Sequence, residues 1–483
     1  MTDAVAPAGL TSRAKPLFSE GYKRWVLGLL LVVYTSNFID RTIIAYLAPA
    51  LRADLKLTAT QIGLLQGPAF AVLYALLGLP IARLAERKSR VSIIAVCLAA
   101  WSAFTALCGV AQNFLVLLLF RVGVGVGEAG CSPPAHSLIS DYYEPKKRAT
   151  ALSIYSFGIP LGTMIGAVAG GWIAQNLSWR AAFLIVGLPG LVLALIVKLG
   201  IKEPPRGHSE AAPVPELPSD ATVEPQAAPP SLLQVFKVLF SRWSWIHLAL
   251  GVMLASFAGY GVGAFVPQYF TSTFGLNLAK VGLVFGLIGG FSAGAGTLLG
   301  GFLTDRLGRS DGKWYALVPA IGLLVATPVY LLAYSRDAWT TAALLLLIPG
   351  IFHYTYLGPT FAATHNLVEP RMRATATAIL FLVLNLIALG AGPVFTGWLA
   401  DLFSQHAFAS QGLGAFQAAC PGGKAVAGAS AEAAAACRGA VGLGARHAIL
   451  ATTLIYAWAG VHYLLAAVSL GRDLKAAAAK RAA

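Results

Sequence analysis

The sequence predicts an all-α integral membrane protein in which twelve transmembrane helices form two related six-helix bundles. First, 57% of the 483 residues are hydrophobic and only 11% are charged, so a water-soluble globule of this composition would leave apolar surface uncovered. Second, apolar runs of about 20 residues, the length that crosses a bilayer, occur twelve times. Third, a long polar stretch divides these runs into two sets of six.

The predicted helices follow the apolar runs in chain order. The polar stretch after the sixth run is rich in Pro, Ala and Glu and lacks helical or strand periodicity, which predicts a flexible linker. The predicted spans are 25–47, 61–82, 91–110, 114–140, 150–173, 180–200, 243–270, 281–303, 314–334, 338–365, 374–400 and 447–470. The predicted divisions are an N-terminal segment 1–24, a bundle 25–200, a linker 201–242, a bundle 243–470 and a tail 471–483.

The net charge of +15 comes from basic residues at the ends of the apolar runs. Because they do not cluster with aromatic residues on one domain, no nucleic-acid partner is expected. If the N-terminus is cytoplasmic, 25 of the 35 Lys and Arg residues fall inside and 8 fall outside, as the positive-inside rule requires. We therefore expect a multi-pass protein of the cell (inner) membrane with both termini in the cytoplasm. Residues 1–24 lack the apolar core of a cleavable signal peptide, so the first span is expected to direct insertion.

Two cysteines lie in a second irregular stretch, 403–445, which is rich in Gly and Ala and is expected outside the membrane. In an oxidising compartment Cys420 and Cys437 can pair across this loop, and the sequence leaves both states open. The other cysteines, Cys97, Cys108 and Cys131, lie within spans, where a small apolar packing role is expected.

Two loop motifs occur once in each half of the chain. Residues Glu144–Ala151 and Glu369–Ala376 share the pattern Glu-Pro-basic-x-Arg-Ala-Thr-Ala, after the fourth span of each half. Residues Ala82–Arg90 and Gly301–Arg309 are similar and follow the second span of each half. Matched loops on the same side of the membrane predict a parallel repeat, the arrangement in which two halves rock about a central site.

The second of these motifs resembles a family signature. Gly301–Arg309 matches the pattern Gly-x-Leu-x-Asp-Arg-x-Gly-Arg of the major facilitator superfamily in full, whereas the first copy has Ala82 and Ser89 for the glycines and Glu86 for the aspartate. The resemblance covers essentially the whole chain and implies the major facilitator fold with a charge relay at the cytoplasmic gate. Loops that are basic only for topology would explain the bases but not the matched acid. The implied gate residues are Glu86, Arg87, Arg90, Asp305, Arg306 and Arg309.

Four charged residues lie inside predicted spans, Asp40 and Arg41 in helix 1 and Arg121 and Glu128 in helix 4. A charge near the bilayer centre costs about 2.5 to 3.5 kcal/mol on insertion scales, so four of them indicate a polar cavity. Other polar residues recur at three- and four-residue spacing and form one face of each helix. These faces are Ser36, Asn37, Asp40 and Arg41 in helix 1, and Arg121, Gly125, Glu128, Ser132 and His136 in helix 4.

The segments that hold these charges, Asn37–Arg41 and Arg121–Ala129, resemble the spinster branch of the superfamily. Spinster members carry lysophospholipids or sphingosine-1-phosphate, so the resemblance implies an amphipathic lipid substrate. In the superfamily fold, helices 1, 4, 7 and 10 line the cavity, which is where both polar faces would then point. Bacterial members with other substrates share parts of this pattern, so an organic anion, a sugar acid or a drug is an alternative cargo.

The four charges also suggest a division of roles. Burial disfavours a charged carboxylate while a nearby guanidinium favours it, so an acid beside an arginine can exchange protons during a transport cycle. We therefore predict that Asp40 and Glu128 couple transport to protons. A guanidinium suits bidentate contact with a phosphate-like head group. The alternative is a set of structural ion pairs that lock helices 1 and 4 together. The predicted head-group residues are Arg41, Arg121, Asn37 and Ser132.

The second half carries aromatic and neutral polar residues in place of intramembrane acids. A cavity charged on one wall and apolar on the other suits a lipid with one charged head and one acyl tail better than a sugar. Helix packing is the alternative role for each aromatic, and His353 alone is expected to be a hydrogen-bonded helix residue. The predicted cavity residues of this half are Tyr260, Gln268, His353, Tyr354, Tyr356, Phe381 and Asn385.

The sequence therefore predicts a proton-coupled secondary transporter that moves lysophospholipid-like anionic lipids by alternating access. No nucleotide-binding motif is present, so we expect no cofactor and a proton gradient as the energy source. A polytopic membrane enzyme or a lipid sensor is the alternative of another class, but neither has a use for a gate motif copied on both halves. The superfamily resemblance implies a monomer whose partners are the bilayer and the substrate.

Overall fold

The computed structural model describes residues 17–206, 208–209, 231–369 and 372–482. Parts of the N-terminal segment 1–24 and of the linker 201–242, together with Arg371 of the repeated loop motif, lie outside the described residues. Twelve helices within this part of the chain are long and apolar enough to cross a membrane. The prediction of twelve spanning helices is confirmed.

The spanning helices are numbered in chain order. A short helix, Leu232–Phe240, precedes the seventh of them and is called the linker helix. In the first half they are α1 Glu20–Asp54, α2 Ala59–Arg87, α3 Arg90–Cys108, α4 Phe114–Tyr142, α5 Thr150–Asn176 and α6 Trp179–Gly200. In the second half they are α7 Trp243–Phe274, α8 Leu278–Gly308, α9 Trp314–Tyr334, α10 Trp339–Leu367, α11 Thr375–Ala409 and α12 Ala431–Lys480.

Three helices contain local breaks where site residues were expected. A turn at residues 129–131 interrupts α4 between Glu128 and Ser132. A 3₁₀ turn, Tyr354–Tyr356, interrupts α10. A π-helical turn, Leu384–Leu389, interrupts α11 and contains Asn385. π-turns inside α-helices free backbone groups and are often found at functional sites.

The irregular stretch expected at 403–445 is shorter than the sequence predicted. Helix α11 continues to Ala409 and α12 begins at Ala431, so both ends of the stretch are helical. The reason is composition, because an alanine-rich segment forms helix readily without being apolar enough to register as a span. Cys420 and Cys437 form a disulfide. At 50 residues, α12 is about 75 Å long and extends beyond the bilayer.

The helical bundle has two ends, the terminal face and the disulfide face. The terminal face contains Glu20 and Lys480, at the outer ends of the first and last helices. The disulfide face contains Cys420 and Cys437. Within the halves, α1 packs on α5, α3 on α6, and α12 on α7 and α9. The halves meet where α2 packs on α11 and α5 packs on α8.

Glycines make the contact between the halves very close on the disulfide-face side. A methyl group on Gly63 of α2 would overlap the carbonyl of Pro393 in α11, and one on Gly282 of α8 would overlap the carbonyl of Ala167 in α5. Gly63 and Gly282 are as far apart in sequence as Ala82 and Gly301, the first residues of the two copies of the loop motif. The contact of α2 with α11 and the contact of α5 with α8 are therefore copies of each other, and we call them the two seams between the halves.

The terminal face is open by comparison. The predicted gate residues Glu86, Arg87, Asp305 and Arg306 are exposed there. Arg41, half-way along α1, retains 20% exposure of its side chain. We infer from the exposure of Arg41 that a cavity opens from the terminal face to the middle of the bundle, whereas the halves pack closely together at the disulfide face.

Candidate functional site

The predicted charges of α1 and α4 come together as an ion pair at the inner end of the cavity. Arg41 Nε donates to Glu128 Oε2 at 2.7 Å, across 87 residues of sequence. The Glu128 side chain is completely buried, whereas the Arg41 side chain is 20% exposed. The pair therefore offers a guanidinium to the cavity and keeps its carboxylate behind it.

Three aromatic rings hold the Arg41 guanidinium. Its central carbon lies 5.1 Å from the ring centre of Phe38, 4.7 Å from that of Phe70 and 4.6 Å from that of Tyr74. Aromatic faces attract a cation within about 6 Å, most strongly when water is excluded. Phe70 and Tyr74 belong to α2, a helix for which the sequence predicted no cavity residue. In the sequence, only the four-residue spacing of these two aromatic residues in an apolar run could have indicated that they belong to the site.

A second pair of charges lies deeper, away from the terminal face. Asp40 is 1% exposed and Arg121 is 2% exposed. Asp40 faces Arg121, Thr105 and Trp101. Both carboxylate oxygens of Asp40, and the Nε and one terminal nitrogen of Arg121, have no standard hydrogen bond to a described protein atom. Buried charged groups of this kind cost free energy and are therefore candidates for a functional role.

Phe70 separates the two charged pairs. Its ring centre is 4.7 Å from the Arg41 guanidinium and 5.9 Å from that of Arg121. Gly125 of α4 lets the Phe70 backbone approach, because a methyl group there would lie 2.5 Å from the Phe70 carbonyl oxygen. Arg121 therefore lies beneath Phe70 and does not reach the cavity in this conformation, although the sequence assigned it to the head group together with Arg41.

The neutral residues predicted beside these charges occupy different depths. Asn37 is 1% exposed and lies next to Glu128. Ser132 is half-buried, one turn closer to the terminal face, where it adjoins Tyr34 and Tyr155. Those two rings stack at 4.3 Å. Ser132 thus lies between the terminal face and the ion pair along α4, whereas Asn37 is buried beside Glu128.

The residues predicted on the opposite wall divide into two groups. Tyr260 is 43% exposed and lies close enough to Arg41 to interact electrostatically. Tyr354 adjoins Tyr260 and is half-buried. Phe381 is 48% exposed, and Asn385 donates to its carbonyl from within the π-turn at 2.9 Å. These four residues are accessible in the second half.

The other three residues of that wall are packed inside the second half. His353 is 4% exposed and contacts the hydroxyl of Tyr330 at 3.3 Å, as expected for a hydrogen-bonded helix residue. Tyr356 is buried and shares a 3.0 Å hydrogen bond with Ser256. Gln268 is 6% exposed and lies near the disulfide-face end of α7. In this conformation the structure places them away from the open cavity.

The gate motif behaves differently in the two halves. Arg90 is buried and binds Asp141, Glu203 Oε1 at 2.6 Å, Ser137 Oγ at 2.9 Å and the carbonyl of Pro204 at 2.9 Å. Arg309, its counterpart, is exposed like the other four predicted gate residues. Asp141 and Glu203 were not predicted from the sequence, although both are acids just inside or beyond the terminal-face ends of spans.

Glu203 is held in its charged form by this cluster. Partial burial opposes the charge, but hydrogen bonds from the Val91 backbone N–H, Arg90 and Ser89 outweigh it and keep the pKa of Glu203 below its ordinary value. The cluster ties the start of α3 to the end of α4 and to the chain that follows α6. It therefore stabilises the first half as one body at the terminal face.

Comparisons with known proteins agree with this architecture. Residues 30–393 match the Major Facilitator Superfamily. A crystal structure of a bacterial homolog of the human lysosomal transporter Spinster, inward-facing and unoccupied, superposes with a TM-score of 0.86 at 35% identity and covers 94% of this chain and 99% of that one.

Two curated relatives extend the comparison. An MFS-type efflux pump of Mycolicibacterium smegmatis is 33% identical over 80% of this chain and 86% of its own length. A probable L-galactonate transporter of Escherichia coli is 25% identical over 84% of this chain and 88% of its own length. These relatives are transporters and not enzymes. The chain therefore belongs to the Major Facilitator Superfamily, as one of its Spinster-like transporters.

Proposed function

We propose that this protein is a proton-coupled secondary transporter of lysophospholipid-like anionic lipids. The observation that carries the proposal is the placement of Arg41, whose guanidinium is partly exposed at the inner end of the cavity while its carboxylate partner is buried. Tyr260, Tyr354 and Phe381 are accessible uncharged residues of the second half, and they would form an aromatic wall opposite Arg41. A phosphate head group fits the first wall and an acyl tail fits the second.

Competition for Arg41 supplies the coupling. When a substrate anion binds the guanidinium, Glu128 loses its ion-pair partner and its charged form becomes more costly in the buried site. Protonation of Glu128 then accompanies substrate binding, and loss of the proton restores the ion pair and expels the anion. Asp40 and Arg121, both buried, would provide a second proton-exchange pair that the substrate does not touch in this conformation.

The distribution of basic residues supports an orientation. The sequence assigns 25 of the 35 Lys and Arg residues to the side of the terminal face, so this face would lie in the cytoplasm at the cell (inner) membrane. The open cavity would then be an inward-facing state. A monomer suffices, because the charged pairs and the aromatic wall belong to a single chain.

Transport into proteoliposomes tests the coupling. We expect the wild-type protein to accumulate a radiolabelled lysophospholipid against its gradient when a proton gradient is imposed. Glu128→Gln and Asp40→Asn should each abolish accumulation while the protein elutes as a folded species. Asp337→Asn, which changes an exposed carboxylate at the disulfide face, is the control and should retain accumulation. Unchanged coupling in the Glu128 and Asp40 variants would contradict the assignment.

A smaller organic anion or a drug is the second candidate cargo. The supporting observation is that Arg41 would bind a carboxylate as readily as a phosphate, and the relatives named above include an efflux pump and a probable L-galactonate transporter. Native mass spectrometry of the purified protein separates these cargoes. A co-purified lysolipid that is displaced by added lysolipid but not by galactonate supports the lipid, and the reverse result supports the sugar acid.

A further inference from the structure

The end of each inter-half seam at the disulfide face carries a polar contact that the transport mechanism above does not use. Asp401, near the end of α11, accepts hydrogen bonds from the backbone N–H groups of Ala59 and Thr60, both at 2.8 Å. It also accepts from the Thr60 hydroxyl at 2.7 Å. Arg52, buried at the end of α1, contacts the same carboxylate at 3.4 Å. A side chain of the second half thus caps the first turn of α2 in the first half.

The other seam carries the same contact in neutral form. Gln175, near the end of α5, accepts from the backbone N–H of Leu278 at 3.1 Å. Leu278 is the first residue of α8, as Ala59 is of α2. Each acceptor also follows a Gly-Trp pair at the same distance along its helix, Gly171-Trp172 before Gln175 and Gly397-Trp398 before Asp401. The two contacts are therefore copies in which one acceptor is a carboxylate and the other an amide.

Neither helix needs the second acceptor to begin. Thr58 caps α2 by accepting from Gln61 N, and Asn277 caps α8 by accepting from Lys280 N. The donors that bind Asp401 and Gln175 are the remaining free N–H groups of the first turn, which otherwise go to solvent. These contacts form only when the halves meet at the disulfide face, so their free energy favours the closed state of that face.

We propose that Asp401 and Gln175 are paired latches that hold the disulfide face closed, and that Asp401 is the stronger. Asp401 joins a charged acceptor to two helical N–H groups at the positive end of the α2 dipole and to Arg52, whereas Gln175 makes one neutral hydrogen bond. Both must break each time the disulfide face opens. The latch therefore sets how the protein divides its time between the two faces, independently of which cargo it carries.

Distance measurements between the halves test the latches. Spin labels on Gln112→Cys and Asp337→Cys, exposed at the disulfide face in opposite halves, report opening of that face in a background with Cys97→Ala and the native disulfide intact. We expect Asp401→Ala to raise the ratio of open to closed molecules about tenfold, as loss of charge-assisted hydrogen bonds implies. Gln175→Ala, at an exposed residue, should raise it about two- to threefold.

Asp54→Asn is the matched control. Asp54 lies on the same face and pairs with Arg180 at 2.5 Å, but both residues belong to the first half, so this variant should leave the distances unchanged. If Asp401→Ala does not fold, Asp401→Asn, which keeps one acceptor oxygen, together with Gln175→Ala decides the matter. Distance distributions in the latch variants that match those of Asp54→Asn would overturn the proposal. Measurements without substrate keep this outcome separate from any failure of the lipid proposal.

Discussion

At the scale of single residues, the site depends on which partner each charge finds. The sequence placed Asp40 next to Arg41, yet Arg41 pairs with Glu128 and Asp40 faces Arg121. Adjacent residues on a helix point about 100° apart, so Asp40 and Arg41 approach different oppositely charged side chains of α4. The helical spacing predicts which polar residues share a face of α1 or of α4, whereas the pairing across these faces depends on how α1 and α4 pack.

Arg41→Lys tests whether the site needs a guanidinium or only a positive charge. Lysine keeps the charge but loses the planar group that lies against Phe70 and Tyr74 and binds an anion through two donors. We expect the KM for the transported anion to rise about tenfold, with smaller effects on expression and folding. Arg180→Lys is the control, because Arg180 also lies over an aromatic ring, that of Trp179 at 4.0 Å, but outside the cavity. A KM equal to that of the wild type would show that charge alone suffices.

At the scale of helices and loops, the repeated gate motif has diverged into two structures. Arg90 is buried among acceptors, whereas Arg309 is exposed. One difference in sequence accompanies this divergence, since Asp141, just before the Glu144 motif, corresponds to Asn366, at the same distance before the Glu369 motif. The second copy therefore lacks the carboxylate that binds Arg90 in the first. The buried cluster around Arg90 thus ties α3, α4 and the chain after α6 together at the terminal face of the first half.

Replacing each arginine in turn tests whether the buried Arg90 stabilises the fold and the exposed Arg309 does not. Arg90→Ala leaves two carboxylates without their partner, and loss of one member of a buried ion pair typically costs about 3 to 5 kcal/mol. Arg309→Ala changes an exposed side chain, for which about 0.5 kcal/mol is usual. We expect the Tm of the purified protein in detergent to fall markedly for Arg90→Ala and to change little for Arg309→Ala. Equal Tm shifts would contradict a structural role for the Arg90 cluster.

The same cluster predicts a dependence of stability on pH. The pKa of Glu203 in the folded protein lies below its ordinary value, so ionised Glu203 stabilises the fold at pH values above its unfolded pKa. This stabilisation is lost as the pH falls through the folded pKa. When the pH is lowered from about 6 to about 3, the Tm of Glu203→Gln should therefore fall less than the Tm of the wild type. Glu432→Gln, at an exposed residue at the start of α12, should follow the wild type. A parallel decline in Glu203→Gln would show that other acids govern the loss.

At the scale of the whole molecule, the sequence predicted the helices and the repeat, because both follow from hydrophobic length and internal similarity. It did not predict that α2 contributes Phe70 and Tyr74 to the site, since aromatic residues in an apolar span look alike whether they face a neighbour or a cavity. His353 and Tyr356 show the converse, as polar aromatic residues that pack inside one half. The seams were not predicted either, because Gly63 and Gly282 can be recognised as contact residues only when the helix that packs against them is known.

The close contact at the seams predicts how the whole protein responds to a larger side chain between its halves. Gly282→Leu places a side chain against the Ala167 carbonyl of the opposite half, and overpacking of this kind costs about 1 to 3 kcal/mol. The halves can escape the clash by opening the disulfide face, so we expect labels on that face to move apart and substrate uptake to slow. Gly289→Leu, in the same helix but with no atom within 4 Å of an added Cβ, is the matched control and should behave as the wild type. If both variants keep the closed distance, the seam tolerates the added volume and does not control opening; if only Gly282→Leu opens, glycine at this contact is what permits the disulfide face to close.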